Sequence, residues 1–192
     1  MLLLSSIAAI CFTADGILTV RKSKIIPHNL APTVQAHLQD GNLDEALESC
    51  RESPSPLGRV LHAGLSNVVH GYDSVSDTVL NGIELEEEKL MQRINYLNLC
   101  GAIAPMLGLL GTVTGMVSAF YVLGTATGAE KAKLLAIAIS QALYTTAVGL
   151  FISIPAILAF TMLRNHASKI MLSLVSVSDD TIKIIRNAEI EE

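Results

Sequence analysis

Two long apolar runs dominate the hydropathy pattern, residues 97–123 and 134–163, separated by the short stretch 124–133. Neither run contains Lys, Arg, Asp, Glu or His. Each exceeds the roughly 20 residues that carry a helix across a bilayer core, so both are expected to be transmembrane helices. Residues 1–20 are also apolar, apart from Asp15. A secretory leader carries its positive charge before the apolar core. Here Arg21, Lys22 and Lys24 come after it, which predicts a true first span.

The remaining segments carry helical patterning. Ala31-Pro32 suits a helix start, with Pro in the first turn. Asn42 is an expected N-cap, with Glu45 bonding back as in a capping box. Ser55-Pro56 predicts another start, and Leu57, Val60, Leu61, Leu65 and Val68 then give an apolar face. Val75, Val79, Leu80, Ile83, Leu90 and Ile94 keep a helical stripe with no breaker before Leu97. The second span is therefore expected to extend well beyond the membrane. The acidic run Glu84, Glu86, Glu87 and Glu88 reads as the solvated face of that helix. Ile170, Met171, Leu174, Val177, Ile182 and Ile185 extend the third span in the same way.

The two long runs are not uniformly apolar. Gly101, Gly108, Thr112, Gly115 and Ala119 share one narrow face at about 100° per residue, with Pro105 near it. Gly111 and Gly115 form a G-x-x-x-G pair, which permits close helix approach. In the other run, Ala138, Ala142, Thr145, Thr146, Gly149, Ser153 and Ala156 share a face, with Gln141 at its edge. Two readings of this seam stand side by side. One is helix packing, each Thr hydroxyl bonded to its own backbone. The other is a narrow hydrated path lined by hydroxyls. A proton relay inside a membrane ordinarily needs a titratable side chain. Neither run holds a carboxylate or a His, so a proton-carrying carboxylate would have to come from a partner, with Asp15 as the alternative.

Composition and charge narrow the class. The chain has 192 residues, is 51% hydrophobic and only 16% charged, and has a mean hydropathy of +0.49. That is the membrane side of ordinary globular usage. A net charge of −5 argues against nucleic acid. Cys11, Cys50 and Cys100 are odd in number and far apart, which disfavours a disulfide framework. The five histidines form no close ligand pair, so no metal site is expected. GLLGTVTG lacks the Lys-Ser/Thr ending of a phosphate loop and lies inside an apolar run, so no nucleotide or other cofactor is expected. Nothing resembles an enzyme active site. The cations after residue 20, before residue 97 and after residue 163 set the orientation by the positive-inside tendency. They put the N-terminus outside, residues 21–96 in the cytoplasm, the 124–133 link in the periplasm and the tail 164–192 in the cytoplasm.

The run APMLGLLGTVTGMVSAF (104–120), followed by AISQALYTTAVGLFISIPA (138–156), resembles the MotA/TolQ/ExbB family of ion-driven motor subunits. DGNLDEALESC and SPLGRVLHAG also look like the family's cytoplasmic region. Three spans resemble the ExbB and TolQ branch more than the four-span MotA branch. The resemblance implies an all-α bacterial inner-membrane protein with three transmembrane helices and long cytoplasmic helical extensions. It implies a homopentameric bundle whose second and third spans surround a single-span ExbD/TolR-type partner, which supplies a membrane Asp. Protons, or alternatively sodium ions, would drive the work.

The family's pore threonines correspond to Thr112 and Thr146, with Thr145 and Gln141 beside them as further expected ion-pathway residues. Gly101, Gly108, Gly111, Gly115 and Gly149 are the expected pore-face and packing glycines. ExbB-like proteins often carry Glu where this chain has Gln141. Gln cannot ionise, though it can donate and accept hydrogen bonds. That departure keeps a non-conducting scaffold in view as the competing function.

Overall fold

The structure is a computed structural model that describes residues 2–125 and 129–191. Among the described residues there are seven α-helices and one 3-10 turn. Helices α1 (Leu2–Thr19), α2 (Lys22–Ile25), α3 (Leu30–Gln39), α4 (Leu43–Glu52) and α5 (Pro56–Leu65) are short. The 3-10 turn Val68–His70 follows. The last two helices, α6 (Tyr72–Thr125) and α7 (Ala129–Glu191), carry most of the chain. The 124–133 link expected from the sequence is entered by helix from both sides, and residues 126–128 lie outside the described residues. Two helices, α6 and α7, are each long and apolar enough to cross a membrane. The apolar helix α1 meets that test only when taken together with the segment beyond its break at Val20–Arg21.

The chain divides into two compact units. One comprises residues 1–16 with 93–162, and the other residues 17–92 with 163–192. In the first unit, α1, α6 and α7 contribute small or aromatic contacts. Phe12 stacks on Tyr96 with ring centroids 5.7 Å apart, and Ala9, Ala104, Ala119, Ala138, Ala142 and Ala156 are buried. Only 11% of the most apolar window of α6 and 22% of that of α7 is buried. Phe120, Tyr121, Tyr144 and Phe151 are each at least 72% exposed. Apolar helices with so little self-burial suit a lipid or protein surround rather than water.

The second unit is a conventional packed core. Val34, Ala46, Leu57, Leu61, Val75, Leu174 and Ile182 are at most 2% exposed. Ser55 caps α5 by accepting from the Gly58 N–H at 3.1 Å, with Pro56 opening the helix. Asn42 makes no side-chain cap on α4. Glu45, expected to bond back to it, instead pairs with His37 Nδ1 at 3.0 Å. The α3–α4 reversal turns at Gly41, with φ +75°, where a left-handed residue without Cβ relieves strain. Gly64 brings α5 onto α6 so closely that a Cβ there would collide with Val79.

One acidic residue departs from the expected solvated face. The Glu86 side chain is 8% exposed. It accepts from Arg59 Nε at 3.1 Å and Nη2 at 2.5 Å, and from Lys89 Nζ at 2.8 Å. Arg59 also donates to the Pro54 carbonyl at 2.9 Å. This fork ties the α5 entry to α6. The hydrogen bonds from Arg59, with Lys89 adding to them, hold the Glu86 carboxyl below the usual carboxylate range despite its burial. Cys50 is buried in the same unit, and desolvation pushes its thiol up to about 11.

Candidate functional site: a small-residue seam between two apolar helices

Within the first unit, α6 and α7 approach along a line of small residues. A Cβ built on Gly101 would stand 2.8 Å from the Ile157 side chain. One on Gly108 would stand 3.0 Å from the Thr146 Cα, and one on Gly149 2.7 Å from the Ala104 carbonyl oxygen. A Cβ on Gly111 would collide with the Thr145 side chain, and one on Gly115 would lie 2.5 Å from the Ala142 Cβ. All five glycines expected at the packing face therefore sit at this contact. Their role is steric: without Cβ atoms, the two backbones come close enough for polar contact between helices.

Two hydroxyls bridge the helices. Thr146 donates to the Gly108 carbonyl at 3.0 Å. Ser153, 3% exposed, donates to the Gly101 carbonyl at 2.7 Å. The second bond has a local cause. Pro105 lies inside α6 and has no N–H to give to the residue four positions earlier, which is Gly101. Ser153 supplies the missing donor from across the seam. Thr112 donates instead to the Leu109 carbonyl, and Thr145 to the Ala142 carbonyl, each at 2.7 Å within its own helix. Every one of these hydroxyls has given its proton to a backbone oxygen. Each keeps lone pairs that can accept from water or from a partner donor.

The four expected ion-pathway residues do not share one side of the seam. Thr112 lines an apolar groove of about 400 Å³ with Met116 and Phe120 of α6 and Leu135, Ile139 and Leu143 of α7. Thr146 lies three positions after Leu143 and continues that side in the helical register. Thr145 faces Gly111 on the other side. The exposed Gln141 lies four positions before Thr145 and so shares its side. Among the described residues no group of three or more His, Cys, Asp or Glu could hold a metal ion. What the seam can do is accept hydrogen bonds in an otherwise apolar surround, without donating or exchanging a proton through a carboxylate of its own.

Residues 97–123 and 134–163 thus form a helical membrane module without a carboxylate, His, Lys or Arg side chain. The profile of the MotA/TolQ/ExbB proton channel family matches residues 52–175, and the chain belongs to that family. The biopolymer transport protein exbB1 of Vibrio cholerae is 34% identical over 119 residues, covering 60% of this chain and 52% of that one. The biopolymer transport protein ExbB of Neisseria gonorrhoeae is 31% identical over 153 residues, covering 72% and 69%. The Tol-Pal system protein TolQ of Haemophilus influenzae is 41% identical over 87 residues, covering 44% and 37%. The chain spans about half the length of the Vibrio relative. The family is a class of membrane channel and transport subunits.

Proposed function

We propose that this chain is a bacterial inner-membrane ion-channel and motor subunit, working with a single-span ExbD/TolR-type partner. Together they would use the proton motive force to drive mechanical work or transport across the envelope. The observation that carries this reading is the pairing of family membership with a polar seam that lacks any carboxylate. The seam supplies acceptor oxygens, and a partner's membrane Asp would supply the titratable group. In this reading α1 is the first of three spans, residues 21–96 and 164–192 are cytoplasmic, and residues 124–133 face the periplasm. Five copies surround the partner helices with the Thr112–Thr146 side turned inward. The kinship with a biopolymer transport protein and a Tol-Pal system protein supports a role in envelope energetics.

The test is ion flux into liposomes that hold this chain with its co-encoded single-span partner under a pH gradient. Flux that disappears when the partner's membrane Asp becomes Asn supports a two-component proton motor. Flux that follows a sodium gradient instead assigns sodium coupling. No flux under either gradient from an assembled complex overturns the channel reading in favour of a scaffold. The non-ionising Gln141 is the observation that favours that scaffold.

A further inference from the structure

We infer that the turn joining α1 to α2 is a binding site for anionic phospholipid headgroups of the membrane leaflet it faces. Arg21, Lys22, Ser23 and Lys24 are all exposed. The turn that presents them is held rather than loose. Lys24 N–H donates to the Arg21 carbonyl at 3.0 Å and Ile26 N–H to the Lys22 carbonyl at 2.7 Å. Val20, Ile25 and Ile26, which flank the cations, are 3%, 4% and 6% exposed and anchor the turn in the core. The three cations therefore project from a fixed base.

Their charge is uncompensated. No Asp or Glu occurs between Asp15 and Asp40. Among the described residues, none of the three takes part in an ion pair. Just before them, Ile17 and Leu18 are 53% and 52% exposed. An exposed apolar pair followed by three exposed cations matches a phospholipid, with acyl chain beside phosphate. A free anion would have no use for the apolar half. Basic residues at a membrane surface each add about 1 kcal/mol of attraction to anionic lipid. Three together correspond to roughly a hundredfold preference over a zwitterionic lipid.

The inference rests on α1 lying in the membrane. The full chain would be placed in nanodiscs of phosphatidylcholine mixed with phosphatidylglycerol, and the retained lipid measured by native mass spectrometry after mild delipidation. The parent is expected to retain phosphatidylglycerol selectively. The combined Arg21→Gln, Lys22→Gln, Lys24→Gln variant is expected to lose that preference by about a hundredfold. Should the triple variant fail to fold, each single change is expected to cost about fivefold. Lys133→Gln, on a different segment, is expected to change nothing. Unchanged selectivity in the triple variant, or in all three singles, overturns the proposal. Displacement of the lipid by inorganic phosphate alone also overturns it, because the site would then be a phosphate site. Labelling of Cys11 with an impermeant maleimide separates the two failures. Cys11 protected with selectivity unchanged removes the lipid site alone. Cys11 labelled removes the α1 span on which it rests.

Discussion

A single missing N–H organises the seam at Gly101. Pro105 withholds the donor that the Gly101 carbonyl would otherwise receive, and Ser153 replaces it from α7 at 2.7 Å. Ser153→Ala is expected to destabilise the helix pair by about 1 kcal/mol, because the carbonyl is then buried unpaired. In a Pro105→Ala background the backbone donor returns, and the same Ser153→Ala change is expected to cost measurably less. Unfolding titrations of the four chains in mixed detergent micelles give the coupling, and zero coupling would remove the Pro105–Ser153 account. Glu86 makes the second residue-scale case. Glu86→Gln is expected to cost about 2 kcal/mol. The Arg59 fork is lost, while the half-exposed guanidinium and the exposed Lys89 recover hydration. Because the folded carboxyl sits below its ordinary value of 4.5, its contribution is complete above that value and is lost as the pH falls through the lowered one. The parent's thermal midpoint is therefore expected to drop with acidification below about pH 4.5 more steeply than that of Glu86→Gln. Parallel melting profiles for the two would contradict this. The sequence hid this ion pair because Arg59 lies 27 residues from Glu86. An acidic run on a helix reads as solvated until a distant cation is folded onto it. Glu45 misled in the same manner: the local capping pattern competed with a His37 that only the α3–α4 reversal brings near.

Helix α6 needs no internal punctuation from its sequence and receives none, running through Pro105 without a break. Its stripe was legible because helical periodicity is local. The seam was legible for the same reason: small residues recur on one face of each run, and the five glycines meet the opposite helix. The two sides of the seam were not legible. Whether Thr145 or Thr146 turns toward the groove depends on how α7 is rotated against α6, and spacing on one helix cannot supply that. The glycines permit a graded test. Gly149→Ala would drive a methyl to 2.7 Å from a backbone oxygen, and Gly111→Ala would strike Thr145. Each is expected to cost about 1–3 kcal/mol through strain at a tight contact. Gly124→Ala meets nothing within 4 Å and lies in a helix, so it is expected to be neutral or stabilising by up to about 1 kcal/mol. The same detergent titration ranks the three. A Gly124→Ala as damaging as Gly149→Ala would contradict the seam as the site of close approach.

At the scale of the whole molecule, two demands fall on one threonine. Thr146 both bridges to Gly108 and, in the proposed motor, offers its lone pairs to water on the groove side. A variant that loses activity could have lost either. Thr112 makes its bond within its own helix, so its replacement leaves the bridge intact. The combined Thr112→Val, Thr146→Val chain keeps shape and volume but removes both acceptor hydroxyls. It is expected to assemble with the partner and to lose at least about tenfold of its gradient-driven flux, as a hydrated path loses two of its polar groups. Thr112→Ser with Thr146→Ser restores both oxygens and is expected to recover most of that flux. Gln141→Ala, on the opposite side of the seam, is expected to have a smaller effect than the double valine change. The measurement is flux per assembled complex in liposomes, with assembly counted by co-purification of the partner. Full flux in the double valine chain would remove the threonines from the path and leave the seam as packing alone. Loss of flux in the serine chain equal to that in the valine chain would point to the methyl contacts rather than the hydroxyls. A Gln141→Ala effect larger than that of the threonines would move the path to the Thr145 side of the helix pair.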